Sequence, residues 1–262
     1  MNEGDRQELV ALLSALRRDG RQQSGLEARL VPPDVQVAYE VAGLVAQRLG
    51  WDVVGWKIAA FKPEMQRALR ASAPIYGRVF APHTYPSPHT VRFDTQCSPI
   101  PEAEFMVRLR TDLPPRDDPY TLEEITEATA SLHVGLELAE CRFVHDADFP
   151  PLPAILADGS GGGRLVLGPE IVDWQSRPIA EQEVVLYCDG VARRRGSAAA
   201  ALEHPMQPVL WLANELSRTG VGLWAGQLIS TGTLTGMLAP KPGQTFLADF
   251  GEFGQVTATY AE

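Results

Sequence analysis

Glu102 and Glu104 stand two residues apart in Pro101-Glu102-Ala103-Glu104-Phe105. On extended backbone both point to one face, because strand side chains alternate. Ala103, Phe105 and Val107 are then left for a core. Adjacent carboxylates repel, which raises a pKa or calls for a cation. From this pair alone, a solvated strand face is the plainer explanation. Glu137 shifts the balance. It sits among apolar residues in Val134-Gly135-Leu136-Glu137-Leu138-Ala139-Glu140-Cys141-Arg142-Phe143, where a carboxylate without a partner is costly. A carboxylate triad without cysteine or histidine suits a hard cation, Mg2+ or Mn2+. Nearby Glu140 can instead pair with Arg142 or another base. Lys57, within Gly55-Trp56-Lys57-Ile58-Ala59, has two readings. It is a snorkelling surface lysine, or a partly buried one that holds a substrate carboxylate or moves a proton.

Other segments say less. The run Asp158-Gly159-Ser160-Gly161-Gly162-Gly163 lacks the Gly-Lys-Ser/Thr of a phosphate loop and reads as a flexible turn or lid. In Ser230-Thr231-Gly232-Thr233, hydroxyls and N–H groups either bind a carboxylate or make a polar turn. His204-Pro205 reads as a helix cap. Cys97, Cys141 and Cys188 are odd in number and widely spaced, and no histidine pair has HExxH or HxH spacing. Both facts disfavour a disulfide framework and a zinc site, and a reducing cytoplasm is the expected home. A net charge of −10 repels phosphate backbones, so nucleic acid is not expected as a partner. Apolar runs are too short for a membrane span, and the first residues show no basic start or apolar stretch of a signal peptide.

The elements that must position these groups follow from periodicity. Leu9, Leu12, Leu13 and Leu16 form one helical stripe, and Asp34 caps a second helix carrying Val37, Val41, Leu44 and Val45. Residues 72–100 are proline-rich and suit loops and edge strands. Residues 102–109 alternate as a strand. Thr121-Leu122-Glu123-Glu124 is a capping box for a helix running to about Leu132, and 134–143 read as a strand. Asp189-Gly190 joins a hairpin of 183–188 and 191–195. Pro205 to Leu216 is helical, and the tail holds two or three strands. Helices first, then many strands with two inserted helices, give an α+β fold with a mostly β core. At 262 residues with 45% hydrophobic content, the chain supports one large domain. It divides into a helical element at 1–50 and a larger body at 51–262.

Taken in order, these segments resemble the 2-keto-4-pentenoate hydratase/4-oxalocrotonate decarboxylase family of the fumarylacetoacetate hydrolase superfamily. The resemblance runs through Gly55-Trp56-Lys57-Ile58, Pro74-Ile75-Tyr76-Gly77, Glu102-Ala103-Glu104 and Glu137-Leu138-Ala139-Glu140-Cys141-Arg142. It continues in Trp211-Leu212-Ala213-Asn214, Leu223-Trp224-Ala225-Gly226-Gln227 and Thr231-Gly232-Thr233-Leu234-Thr235-Gly236. It implies a mixed β-roll with Mg2+ or Mn2+ on Glu102, Glu104 and Glu137. It also implies Lys57 as the catalytic lysine and Thr231, Gly232, Thr233 and Asp158 as substrate-binding residues. Two departures stand out: Ile75 replaces an acidic residue, and Gly159 replaces a side-chain amide.

The function implied is a divalent-metal-dependent lyase, hydratase or decarboxylase. Its substrate would be a small 2-oxo or 2-hydroxy-dienoic acid, handled through a metal-bound dienolate. The alternatives are an acylpyruvate C–C bond hydrolase on the same metal, and a catalytically poor paralogue that binds a ligand or partner enzyme. A cytoplasmic homo-oligomer is expected. Ile75 predicts an apolar wall and a preference for a bulkier or more apolar 2-oxo acid.

Overall fold

The computed structural model describes residues 1–262. Two helices open the chain, α1 (Glu3–Asp19) and α2 (Val35–Leu49). Asn2 caps the first and Asp34 the second, each through a side-chain oxygen that accepts a first-turn N–H. Both end at a left-handed glycine, Gly20 and Gly50. Then follow β1 (Val53–Ala59), α3 (Pro63–Leu69), β2 (Ile75–Phe80), β3 (Thr84–Pro86), β4 (His89–Arg92) and β5 (Ile100–Leu109). The middle holds α4 (Leu122–Ala128), β6 (Thr129–Ala139), α5 (Leu152–Ala157), β7 (Arg164–Glu170), β8 (Val184–Cys188) and β9 (Val191–Gly196). The last elements are α6 (Ala198–Ala201), α7 (Met206–Arg218), β10 (Leu228–Ser230), β11 (Thr245–Asp249) and β12 (Gln255–Ala261).

Two mixed sheets result, ordered β2-β1-β10-β5-β6-β7-β3 and β4-β12-β11-β8-β9. The main core lies between them. Phe105 and Leu136 of the larger sheet share one buried cluster with Phe246, Val256 and Ala258 of the smaller, and α7 closes it through Val209 and Leu212. A second cluster seats α1 and α2 against the body, where Leu9, Leu13 and Val41 meet Ile75, Phe80, Phe143 and Leu156. The fold is α+β with a β core, as the element order implies.

Three short helices, α3, α5 and α6, add to the two inserted ones read from periodicity. At seven, six and four residues they are too brief to show a stripe. The capping box at Thr121 is present, but its helix ends at Ala128 and not near Leu132. There the chain begins to pair with β5, and sheet pairing overrides helix propensity. For the same reason β6 starts at Thr129 and stops at Ala139, earlier at both ends than the 134–143 reading. No helix is long and apolar enough to cross a membrane.

Candidate active site and metal centre

Sheet register assembles the site. Glu102 of β5 lies directly opposite Glu137 of β6, and Glu104 lies opposite Gly135. On the other edge of β5, Ser230 of β10 pairs with Met106, and β10 runs parallel to β1 with Lys57 level with Ser230. Cross-strand partners share a face. One face therefore carries Lys57, Ser230, Glu104, Glu102 and Glu137, none of them more than 8% exposed. Their neighbours Trp56, Ile58, Ala103, Phe105, Leu136 and Leu138 project to the other face and join the main core. The strand period that buries the core thus also gathers the charges.

The electrostatics of this face are unbalanced. Carboxylate oxygens of Glu102, Glu104 and Glu137 lie within 4.8 Å of one another. A single cation answers them, Lys57, with Nζ 3.6 Å from Glu137 Oε1. Glu104 Oε2 accepts hydrogen bonds from the Ser230 hydroxyl and, at 2.9 Å, from the Gly232 N–H. Both oxygens of Glu137 are buried without a hydrogen-bond partner. Burial, then repulsion from Glu137, pushes the Glu102 pKa up to about 7, against the pull of Lys57. Burial and the charges of Glu137 and Glu102 hold Glu104 well above the ordinary range. Burial raises Glu137 too, with Lys57 opposing. Native proteins seldom leave buried carboxylate oxygens unpaired. Three oxygen donors at this spacing, with two orphaned atoms, fit a divalent cation.

The turn after β10 does bind a carboxylate, but the protein's own. Besides the bonds to Glu104, Thr231 donates its N–H and hydroxyl to the Phe105 carbonyl at 3.1 and 2.9 Å. Gly232 at φ +110° makes the bend that aims its N–H at Glu104, a conformation that suits glycine. The Thr233 hydroxyl accepts the Gly236 N–H at 3.0 Å. Gly232 and Thr233 also border a cavity of about 200 Å³ whose apolar lining includes Phe61, Met65, Leu202 and Leu234.

Asp158 does not reach this cavity. Its Oδ1 accepts Arg142 Nε at 2.8 Å and its Oδ2 the Arg142 N–H at 3.0 Å. The carboxylate is so engaged with Arg142 and is buried. The glycine-rich segment is likewise no loose lid. Ser160 donates to the Tyr76 carbonyl at 2.6 Å, and Gly161 O accepts the Glu140 N–H at 2.9 Å. Glycine is required where it crosses β2, since a Cβ on Gly77 would stand 2.2 Å from Gly159 O. Glu140 pairs with Arg164 at 2.6 Å, and Arg142 Nη1 stands 3.9 Å from it. Ile75 lies opposite Ala59 on the Lys57 face and is buried in the cluster that seats the first helices. Sequence reasoning missed Ser230 as a partner of Glu104 and Arg17 altogether. The first had a signal in its polar turn; the second had none.

The family model described as Fumarylacetoacetate (FAA) hydrolase C-terminal matches residues 102–260. A 2-keto-4-pentenoate hydratase of Burkholderia vietnamiensis is 28% identical over 257 residues, covering 97% of each chain. A 2-oxo-hept-4-ene-1,7-dioate hydratase of Escherichia coli is 27% identical over 80% of each chain. Among solved structures, 4-oxalocrotonate decarboxylase from Pseudomonas putida G7, complexed with magnesium and adipate, superposes with a TM-score of 0.90 at 21% identity. It covers 99% of this chain and 98% of its own.

Proposed function

The chain belongs to the fumarylacetoacetate hydrolase family, and within it we propose a divalent-metal-dependent lyase acting on a small 2-oxo or 2-hydroxy-dienoic acid. One observation carries this reading: three buried carboxylates within 4.8 Å of one another, faced by a single buried lysine. Hydratases similar over 97% and 80% of the chain support the reaction class.

Glu102, Glu104 and Glu137 would hold Mg2+ or Mn2+, which when bound supplies Lewis-acid polarisation of a 2-oxo acid. The rest falls to the chain's own side chains. Lys57 Nζ is the one proton-carrying group beside the triad that bears positive charge, and it is buried, so it exchanges protons with the substrate and not with bulk water. Ser230 and the Gly232 N–H fix Glu104, which keeps the triad from spreading as substrate enters. The cavity beside Gly232 and Thr233 takes the substrate's far end, between an apolar wall of Phe61, Met65, Leu202 and Leu234 and the charged Lys62 and Glu64. Thr231, with its donors committed to β5, shapes the turn without touching substrate. The hydratase relatives rank lyase chemistry above C–C bond hydrolysis.

The test is direct. Purified protein with Mg2+ or Mn2+ should consume 2-hydroxypenta-2,4-dienoate or a homologue with an alkyl tail, followed by ultraviolet absorbance. Turnover should vanish with chelator. Absence of metal-dependent turnover across neutral dienoates and 4-oxalocrotonate-like diacids would overturn the reading.

A further inference from the structure

The matched family segment begins at residue 102, yet a side chain from the first helix holds a turn that lies on Lys57. Arg17 lies in the last turn of α1 and is buried. Its one ion-pair contact is long, 3.9 Å to Asp158 Oδ1. What it grips is backbone: Nη2 donates to Asp158 O at 2.6 Å and Nη1 to Gly162 O at 3.2 Å. These two carbonyls bracket the glycine-rich turn. The turn in its middle lies on Lys57, for a Cβ built at Gly161 would be 3.8 Å from Lys57 Nζ and one at Gly162 3.8 Å from Cε.

Arg142 reaches the same carbonyls at 3.2 and 3.0 Å, but it also has the Asp158 carboxylate as a close partner. Arg17 has no such compensation. Burial and the neighbouring Arg142 charge pull its pKa down to about 10. A guanidinium kept charged in that setting is accounted for by what its two carbonyls hold in place.

We propose that Arg17 is a positioning residue for Lys57: it clamps the turn 158–162 over the lysine, keeps water from the ammonium and fixes where it points. The inference rests on Lys57 being the proton-carrying group of the proposed lyase. It makes the N-terminal helix a working part of the site and not only packing for the body.

Lysine acylation provides a readout that needs no turnover. The chain has three lysines, Lys57, Lys62 and Lys241, so the last two serve as internal references. Acetic anhydride followed by peptide mass mapping should leave Lys57 of the intact protein unlabelled. In Arg17→Met its labelling relative to Lys62 and Lys241 should rise roughly tenfold or more, as local opening becomes easier. On whichever dienoate is turned over, kcat should fall on the order of 100-fold while KM and Mn2+ affinity stay within about twofold, as for a displaced catalytic group. Arg17→Lys, able to hold one carbonyl, should lie between, and it carries the test if the methionine variant does not fold. Labelling and kcat must move together. Greater labelling with unchanged kcat makes Arg17 a mere cover, lower kcat with unchanged labelling removes the clamp, and either result overturns the proposal. A wild-type protein without turnover on any dienoate sinks the lyase reading instead, and the labelling then decides alone whether Arg17 governs access to Lys57.

Discussion

Two groups of buried charge lie almost side by side at the end of β6, for Glu137 and Arg142 are five residues apart. Arg17, Arg142 and Arg164 face Asp158 and Glu140, and each of these groups makes hydrogen bonds to side chain or backbone. Glu102, Glu104 and Glu137 face Lys57 alone, and Glu137 has no hydrogen-bond partner. Apart from the half-buried Arg164, both groups are buried; only the first is satisfied. A buried charge that is fully bonded reports architecture, whereas one left short reports a site waiting for a ligand.

Glu137→Gln should break that contrast most sharply. It keeps the shape and removes a charge, so Mn2+ affinity by calorimetry should fall by about 100-fold or more, beyond what loss of a supporting residue costs. Turnover should go with it. Glu140→Gln, in the satisfied group, should leave Mn2+ affinity within about twofold and cost only stability. Unchanged affinity in the first variant would remove Glu137 from the metal centre.

Lys57→Met should lower kcat by about 10²–10⁴-fold, the range for loss of a general acid or base. Metal affinity should not weaken, because the ammonium competes for Glu137. Wild-type rates in this variant would make the lysine a bystander.

Arg142→Met tests the other group. It leaves Asp158 buried without its partner, so urea denaturation should show a loss of about 3–5 kcal/mol. In the metal-free protein Glu137→Gln should cost far less near neutral pH, since the loss of Lys57's partner is offset by relief of repulsion among the carboxylates. If both variants destabilise alike, the distinction between the two groups fails.

The smallest effect is a pH trend. Glu102 binds its proton more tightly in the folded chain, with its pKa raised from 4.5 to about 7. Its contribution to stability is therefore full below 4.5 and is lost as pH rises through about 7. Glu104 and Glu137, also raised, act with the same sign. The melting temperature without metal should fall across this window by several degrees, and saturating Mg2+ should flatten the decline. Parallel curves with and without metal would mean that the carboxylates are compensated from within the protein.

The carboxylate centre was legible in the sequence because strand spacing alone places Glu102 and Glu104 together, and an isolated Glu137 in an apolar run is costly without a purpose. The first two helices and the hairpin at Asp189-Gly190 were legible for similar local reasons. The pairing of Asp158 with Arg142, sixteen residues away, was not legible because it is set by a tertiary turn and not by any period. Arg17 was invisible for the same reason at greater range: its acceptors lie 141 and 145 residues downstream. The short helices left no stripe to read.

The order of strands in the larger sheet has a consequence for how the protein is made. β1 and β5 both leave the ribosome early, yet they never touch, since β10 lies between them. A growing chain that ends before Ser230 can pair β5 with β6, bringing the three glutamates close, but it has no strand to dock Lys57 beside them or hydroxyl to hold Glu104. Long-range pairing of this kind is slow to form. The acidic half of the centre is thus synthesised first and must wait, mutually repelled, for the arrival of the last eighth or so of the polypeptide, whose insertion joins the two halves of the sheet and sets a lysine and a hydroxyl beside a cluster of like charges.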